Sequence, residues 1–244
     1  MVPVPWCDIL EIIPAIDPET TLIITGKIVD IPKEENLCYL AWKLMAANYN
    51  IPAVAIHLHK VIPSGAGLGG GSADAAFTLK MLNNIFHLNL GNETLRSVSV
   101  QLGMDCPFFI DNIPSLSTGR GEYLKPMTLN LDGLSIVIVK PPIHVSTAAA
   151  FAGIKPQNRE NSMEELCELP VQDWRKELKN DFEQTVFGLY PDILELKNRM
   201  YRNGALYAAM SGSGSAVYGL FSGNPVGLDF PGYEVFQSSF RSQP

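Results

Sequence analysis

The sequence predicts an α+β protein of two domains, in which mixed or antiparallel sheets carry helices packed on one side. Residues 53–62 (AVAIHLHKVI) alternate between apolar and polar side chains, as a half-buried strand does. Beyond the glycine-rich segment 62–76, apolar residues recur at helical spacing. The composition shifts near residue 130, which divides the chain into domains at 1–130 and 131–244.

Cap residues and periodicity define the elements of the first half of the chain. Asn36 is a good N-cap for the apolar helical stretch that follows it. Ser72 is placed to cap the helix after the glycine-rich segment, and Gly103 to end a third helix at its C′ position. In chain order we expect strands at 8–13, 21–29 and 53–62, and helices at 37–48, from about 72 and at 92–102.

The second half shows shorter elements separated by polar loops. Asp105 precedes Pro107, a pair that favours a short helix capped by the aspartate. The segment 211–215 (SGSGS) lies between two apolar runs and indicates strand, tight turn and strand. Residues 117–126 predict a polar loop, and 155–175 predict a loop with a short helix. The remaining elements are a strand at 134–140, a loop entering a helix at 144–151, and helices at 181–189 and 192–202.

Composition narrows the classes of function. Hydrophobic residues make up 46% and charged residues 18%, as in globular proteins, and no apolar run approaches the length of a membrane span. We expect no signal peptide. The four cysteines are scattered without a C-x-x-C pair, which favours a reduced, cytoplasmic setting over zinc or disulfides. A net charge of −7 without a basic cluster argues against nucleic acid, so an anionic ligand requires a local site.

The glycine-rich segment IPSGAGLGGGSADAA (62–76) allows several interpretations. Its G-x-G-x-x-G match suggests a dinucleotide site, but the preceding strand alternates and no buried strand ending in an acid follows. A Walker loop requires a lysine at its end, and none is there. A plain hinge or turn uses one or two glycines rather than five within seven residues. An anion cradle fits best, because glycines let backbone N–H groups point at phosphate and the following helix adds its positive end.

Six segments together resemble the GHMP kinases, a family of small-molecule kinases. In chain order they are PSGAGLGGGSADAA, LGMDCPFF, TGRGEYLKP, STAAAF, NDFE and MSGSGSAVYGLF. Each segment alone is weak, but together they extend over almost the whole chain in the order of the family. The resemblance implies the two-domain GHMP kinase fold.

The resemblance also implies an ATP site and a catalytic carboxylate. Asp105 is then the base or orienting group for the substrate hydroxyl, and helix capping is its alternative role. Asn36 falls where the family contacts the nucleotide base, with a plain N-cap as the alternative. The ATP phosphates are held by Pro63, Ser64, Gly65, Ala66, Gly67, Leu68, Gly69, Gly70, Gly71, Ser72 and Ala73.

The substrate implied is a small molecule, an alcohol linked to cytidine diphosphate. Thr147 and Phe151 match positions that line its pocket, where Phe151 stacks on the pyrimidine or is a core aromatic residue. The loop Ser211, Gly212, Ser213, Gly214 matches a glycine turn near the phosphates or is a simple hairpin turn. Lys60 precedes the phosphate loop and is expected to be a solvated lysine at a strand edge, with phosphate contact as the alternative.

Two departures from the family pattern bear on activity. The family opens with a segment like NAKINLGL, whose lysine supports the phosphoryl centre, and then a segment like RPDGYH, and neither occurs in residues 1–244. We therefore expect these residues by themselves to be weak or inactive as a kinase while retaining much of the ATP loop. Ala73 replaces a second serine of the family loop and removes its hydroxyl.

Taken together, the resemblance implies an ATP-dependent kinase that uses Mg²⁺, and we expect it to act in the cytoplasm as a monomer or weak homodimer. No metal site formed by side chains is predicted, because His57 and His59 share a strand face without a third ligand. Another GHMP small-molecule kinase, acting on homoserine or mevalonate, and a non-catalytic nucleotide-binding fragment are the alternatives. No nucleic acid or membrane partner is expected.

Overall fold

The computed structural model describes residues 1–154 and 162–240, and the chain forms two compact units. We call Met1–Ser64 with Gly69–Met127 the N-terminal unit, and Gly65–Leu68 with Thr128–Pro244 the C-terminal unit. The chain therefore enters the C-terminal unit for four residues within its glycine-rich segment. Among the described residues, no helix is both long and apolar enough to cross a membrane.

A mixed three-stranded sheet forms one layer of the N-terminal unit. Its strands are β1 (Ile9–Pro14), β2 (Thr21–Gly26) and β3 (Val54–Lys60), in the order β1-β3-β2. β3 pairs antiparallel with β1 and parallel with β2. The parallel pair needs a crossover, and the helix between β2 and β3 supplies it.

Helices cover one face of this sheet, as the alternation of β3 predicts. Val54, Ile56 and Leu58 are buried beneath these helices. On the other face the two histidines of β3 both hydrogen-bond the Thr25 hydroxyl, each at 2.9 Å. The helices are α1 (Leu37–Tyr49), α2 (Gly70–Ile85), α3 (Asn92–Ser99) and α4 (Cys106–Asp111), and a 3₁₀ turn at Lys33–Glu35 precedes α1.

Two expectations for the N-terminal unit are wrong. The polar segment at 117–126 contributes to a hairpin of β4 (Ser115–Thr118) and β5 (Tyr123–Pro126). These strands have only four residues each (SLST and YLKP), too few for periodicity to reveal them. α3 ends at Ser99, and Gly103 lies beyond it because tight turns continue the chain, so Gly103 is not the C′ residue.

An antiparallel four-stranded sheet is the centre of the C-terminal unit. Its strand order is β7-β8-β6-β9, and Val137 and Val139 of β6 belong to the same core cluster as the buried residues of the long final helix. The strand expected at 134–140, the helices expected at 144–151, 181–189 and 192–202, and the strands on either side of 211–215 are present. The segment 155–175 differs from the expected loop with one short helix, because two short helices lie within 163–177, and residues 155–161 lie outside the described residues. β9 is an additional edge strand whose partly exposed residues give a weak periodic signal. The strands are β6 (Leu134–Lys140), β7 (Tyr207–Met210), β8 (Val217–Ser222) and β9 (Glu234–Ser239), and the helices are α5 (Thr147–Ala152), α6 (Met163–Glu168), α7 (Val171–Glu177), α8 (Phe182–Leu189) and α9 (Pro191–Arg202).

The N-cap of α1 yields a first prediction. The Asn36 side chain is 5% exposed and its oxygen accepts a hydrogen bond of 2.9 Å from the Cys38 N–H, which confirms the predicted cap. Asn36→Ala should lower the free energy of unfolding by about 1 kcal/mol, because that N–H loses its acceptor. Asn36→Ser restores an acceptor and should remain near the original stability in urea unfolding. An equal loss in both variants would show that packing, and not the cap, matters here.

Candidate active site

A buried ion-pair cluster fixes the chain where it leaves β3 for the glycine-rich segment. The Lys60 ammonium lies between two carboxylates, with a distance of 2.7 Å to Asp74 Oδ2 and an ion pair to Asp8. The other oxygen of Asp8 accepts hydrogen bonds from the N–H groups of Val61 (2.6 Å) and Ile62 (2.8 Å). The cluster therefore joins β3, the start of the chain and α2 at the entrance of the glycine-rich segment.

Lys60 is 5% exposed, so the expectation of a solvated lysine is wrong. β3 is the central strand, and Lys60 continues its buried face rather than an open edge. The geometry also disfavours the alternative role of Lys60, contact with phosphate, because its ammonium is already paired with two carboxylates. Lys60 instead acts on the loop through the backbone that Asp8 holds.

Burial shapes the ionisation of this cluster. It raises the pKa of Asp74 to about 6, because the charged carboxylate is deprived of water, and this outweighs the attraction of Lys60. Burial by itself lowers the pKa of Lys60, but the charges and hydrogen bonds of Asp74 and Asp8 leave it above its ordinary value. The Lys60 ammonium is thus paired with both carboxylates at the entrance of the glycine-rich segment.

The start of α2 presents backbone N–H groups without a side-chain cap. Gly69 occupies the N-cap position in the left-handed conformation (φ +70°), and the first helical hydrogen bond runs from the Ala73 N–H to the Gly69 carbonyl (2.9 Å). The N–H groups of Gly70, Gly71 and Ser72 therefore have no acceptor within the helix. Such a helix end is a ready anion site.

Ser72 is not the N-cap, contrary to expectation. It lies in the first turn of α2, because the left-handed Gly69 already sets the start of the helix. Its hydroxyl hydrogen-bonds the Cys106 thiol. This contact places Cys106, the residue that follows Asp105, beside the N-terminus of α2 within the N-terminal unit.

Asp105 precedes α4 with an exposed carboxylate. It makes no side-chain cap, so the capping alternative is wrong. In the described part of the chain no hydrogen bond or ion pair holds this carboxylate. The turn of the β4–β5 hairpin packs beside it, since a Cβ added at Gly121 would lie 3.5 Å from Asp105 Oδ1. An exposed and unpaired carboxylate can accept a proton from an incoming hydroxyl.

In the C-terminal unit, residues 65–68 are held by the turn between β7 and β8. The Ala216 N–H donates to the Ala66 carbonyl (3.0 Å), and the Ser211 hydroxyl donates to the Gly67 carbonyl (2.8 Å). Gly67 has φ +73°, and a Cβ there would overlap the Ser211 carbonyl oxygen. Only glycine permits this approach.

The remaining predicted loop residues differ in exposure. Ser64 is exposed, Pro63 is buried and Leu68 is half-buried. Gly65 also has positive φ, and a Cβ there would lie 3.0 Å from Nδ1 of His144, a neighbour that the sequence did not reveal. In the turn, Gly212 is exposed, Ser213 half-buried and Gly214 buried. The turn is a hairpin connection, as the simpler interpretation predicts, and it also contacts the loop.

Thr147 and Phe151 lie four residues apart on α5 and share a face of this helix. Both are exposed, and 59% of Phe151 is accessible. The core alternative for Phe151 is therefore wrong, since α5 buries only Ala150. The Phe151 ring meets Phe182 edge to face, with 4.8 Å between ring centroids. This contact fixes the ring and leaves its exposed face accessible to a planar ligand.

N–H donors at a helix end, beside an exposed carboxylate that can take a hydroxyl proton, are typical of a phosphate-transferring enzyme. Comparisons with known proteins agree. The model of the GHMP kinases N terminal domain matches residues 36–112, and that of the GHMP kinases C terminal domain matches residues 156–226. The chain belongs to the GHMP kinase family and is an ATP-dependent small-molecule kinase.

Individual relatives show the same family. A Bacteroides fragilis protein named 4-diphosphocytidyl-2-C-methyl-D-erythritol kinase is 44% identical over 243 residues, covering 98% of this chain and 89% of the relative. A Bacteroides thetaiotaomicron protein of the same name is 47% identical over 221 residues, covering 90% and 81%. A crystal structure of 4-(cytidine 5'-diphospho)-2C-methyl-D-erythritol kinase superposes with TM-score 0.74 at 32% identity, covering 88% and 77%.

A more distant structure shows the fold alone. The homoserine kinase of Cytophaga hutchinsonii superposes with TM-score 0.68 at 17% identity, covering 97% of this chain and 87% of that one. The α+β fold of the GHMP kinases is thereby confirmed for this chain.

The buried cluster yields a second prediction. Lys60→Met leaves two buried carboxylates without a cation and should lower the free energy of unfolding by about 3–5 kcal/mol near pH 8. The folded pKa of Asp74 exceeds its unfolded value of 3.8, so the folded state binds the proton more tightly and stability falls as pH rises from about 4 through the folded pKa. Without Lys60 that pKa rises further, and the loss should be smaller at pH 5 than at pH 8.

Urea unfolding at the two pH values measures this difference. Lys80→Met is the matched control, because within residues 1–154 and 162–240 the Lys80 ammonium binds only the Ile110 carbonyl (3.1 Å) and stacks over Phe77. The decrease in the free energy of unfolding of Lys80→Met should be small and independent of pH. Equal losses for Lys60→Met at pH 5 and pH 8 would contradict the assignment of Asp74 as the titrating group.

Proposed function

We propose that this kinase transfers the γ-phosphoryl group of ATP to the 2-hydroxyl of 4-diphosphocytidyl-2-C-methyl-D-erythritol, in the non-mevalonate route to isoprenoid precursors. The carrying observation is the identity of 44–47% with relatives named for this activity, extending over 90–98% of the chain. Likeness to the homoserine kinase extends to fold only, at 17% identity. The site chemistry described above supports phosphoryl transfer to an alcohol.

Residues 63–73 are the proposed binding loop for the ATP phosphates. Within this loop, the uncapped N–H groups at the start of α2 supply donors and the positive end of the helix dipole. Asn36 is proposed to contact the base, in addition to its cap. Mg²⁺ is proposed to accompany ATP. Among the described residues no group of three or more acids, histidines or cysteines could hold a metal ion, so phosphate oxygens and water would supply most ligands.

Asp105 is the proposed base. Its carboxylate takes the proton of the substrate hydroxyl as the oxygen bonds to the γ-phosphorus and the bond from that phosphorus to the β-bridging oxygen breaks, which releases ADP. An exposed carboxylate without a structural partner suits this task, because proton uptake then breaks no hydrogen bond of the fold. The proposal requires the substrate hydroxyl within hydrogen-bond distance of Asp105.

Thr147, Phe151 and the turn 211–214 are proposed to contact the substrate. The exposed ring of Phe151 can stack on a pyrimidine, and the Thr147 hydroxyl on the same helix face can hydrogen-bond to it. Because the chain carries a net charge of −7, local donors rather than the overall field must hold the anionic substrate.

The cellular setting and assembly belong to the same proposal. We expect a cytoplasmic monomer or weak homodimer, supported by four cysteines that form no disulfide. The proposed division into domains near residue 130 is supported by the change of compact unit after Met127.

A substrate panel tests the function. The purified chain is given ATP with 4-diphosphocytidyl-2-C-methyl-D-erythritol, homoserine or mevalonate, and ADP release is followed by a coupled assay. Calorimetric binding of each alcohol is measured alongside, so that specificity is read even where turnover is slow. We expect binding and turnover with the cytidine-bearing alcohol only. Selective binding of homoserine or mevalonate would overturn the proposal.

Asp105→Asn tests the base. The amide keeps the shape of the side chain but cannot take a proton, so the single-turnover rate should fall by about 10²–10⁴-fold. The affinity for an ATP analogue should change less than about threefold, because the amide leaves the phosphate donors in place.

Asp111→Asn is the control, since that carboxylate ends the adjacent helix α4 and pairs with Arg96 (2.6 Å). It should lower stability and leave the rate unchanged. A retained rate in Asp105→Asn would remove the proposed base.

A further inference from the structure

We propose that Asn180 and Glu183 are positioning residues for the ATP phosphate loop. They hold the turn between β7 and β8, and this turn holds residues 66–67. The inference rests on the proposed function, since it takes 63–73 as the loop that binds ATP phosphates. All of its contacts lie within the C-terminal unit.

Asn180 uses both halves of its amide. The oxygen accepts a hydrogen bond of 3.0 Å from the Phe182 N–H at the start of α8. The nitrogen donates to the carbonyls of Met210 (2.9 Å) and Gly212 (2.7 Å). An aspartate or serine could serve the helix end equally well, but neither could donate two hydrogen bonds to carbonyl groups. The choice of asparagine is therefore explained by the turn and not by the helix.

Glu183 holds the same strand end from the first turn of α8. It is 8% exposed, and Oε1 accepts a hydrogen bond of 2.9 Å from the Met210 N–H. Its other oxygen accepts a hydrogen bond of 2.5 Å from the Lys197 ammonium, which fixes the carboxylate. The backbone N–H and C=O of Met210 are thus both hydrogen-bonded to side chains, one within α8 and one just before it.

The position of β7 explains why such side chains are needed. β7 is an edge strand of its sheet, with β8 as its neighbour. In an antiparallel pair, alternate residues direct their backbone groups away from the neighbouring strand. At Met210 the outward C=O and N–H groups hydrogen-bond to Asn180 and Glu183. These two side chains therefore supply the hydrogen-bond partners that a further strand would supply.

The turn transmits this placement to the loop. Ser211 directly follows Met210 and donates its hydroxyl to the Gly67 carbonyl, while the Ala216 N–H donates to the Ala66 carbonyl. Gly67 is packed so closely that a Cβ would lie 2.9 Å from the Gly214 oxygen. A displacement of the turn must therefore displace residues 66–67. Preorganised N–H donors bind phosphate without the entropic penalty of ordering a glycine chain.

Asn180→Asp isolates the donor half of the side chain. The carboxylate keeps the acceptor for Phe182 but sets an anionic oxygen against the Met210 and Gly212 carbonyls. We expect the affinity for a non-hydrolysable ATP analogue, measured by calorimetry, to fall about tenfold or more. Adenosine affinity, measured by ligand-observed NMR, should change less than about twofold, because adenosine has no phosphates to meet the loop.

Asn203→Asp is the matched control. The Asn203 amide also donates to a backbone carbonyl, that of Arg199 (2.7 Å) at the end of α9, but it does not touch the turn. Both affinities should remain unchanged in this variant, although stability can fall. Asn180→Asp with unaltered affinity for the ATP analogue, or with equal losses for the analogue and adenosine, would overturn the positioning role.

Ser211→Ala decides the matter if Asn180→Asp does not fold. It removes only the hydroxyl that reaches Gly67, and the affinity for the ATP analogue should fall severalfold with adenosine unaffected. Where both variants fold, the double variant should lose less than the product of the two factors, because the changes act through one turn. Full additivity, or no loss in Ser211→Ala, contradicts the inference.

Binding of the ATP analogue by the unsubstituted chain distinguishes the two proposals. If it fails to bind the ATP analogue, the proposed function itself fails. If it binds the analogue and Asn180→Asp binds it equally well, only the positioning role fails.

Discussion

The ion pairs of Lys60 with Asp8 and Asp74 are the constraint on which the N-terminal unit depends. A buried charge is tolerated only when it is paired and hydrogen-bonded, so these three side chains must keep one geometry. Through Asp8 that geometry extends to the backbone N–H groups of Val61 and Ile62, the last residues before the phosphate loop. The direction in which the chain enters the loop is therefore set by electrostatics in the core beneath it.

The loop itself is supported differently in the two units. In the N-terminal unit, Gly69 in the left-handed conformation opens α2 and leaves its N–H groups unused by the helix. In the C-terminal unit, the hydroxyl of Ser211 and the N–H of Ala216 hold the carbonyls of residues 66–67. Glycine is needed at position 69 for its positive φ, and at position 67 for the close approach of the turn between β7 and β8. A run of glycines thus serves two distinct physical requirements within one short segment.

Environment separates the roles of two aspartates in the N-terminal unit. Asp74 is buried against a lysine, and burial raises its pKa to about 6, so its charge belongs to the fold. Asp105 is exposed, and no donor of the described residues holds it, so its charge is available for chemistry. Both aspartates lie in segments that resemble the family, but only solvent access and partners distinguish a structural carboxylate from a candidate base.

The sequence by itself determined what depends on local pattern: the alternating strand β3, the Asn36 cap, the main helices and strands, the glycine-rich loop and the family to which its motifs belong. Only the tertiary structure decided which distant groups meet. It placed Lys60 in a central strand, gave Ser72 a thiol partner in place of a cap, and set Asn180 against an edge strand. These outcomes depend on strand order and on contacts between residues far apart in sequence, which neither periodicity nor capping rules encode.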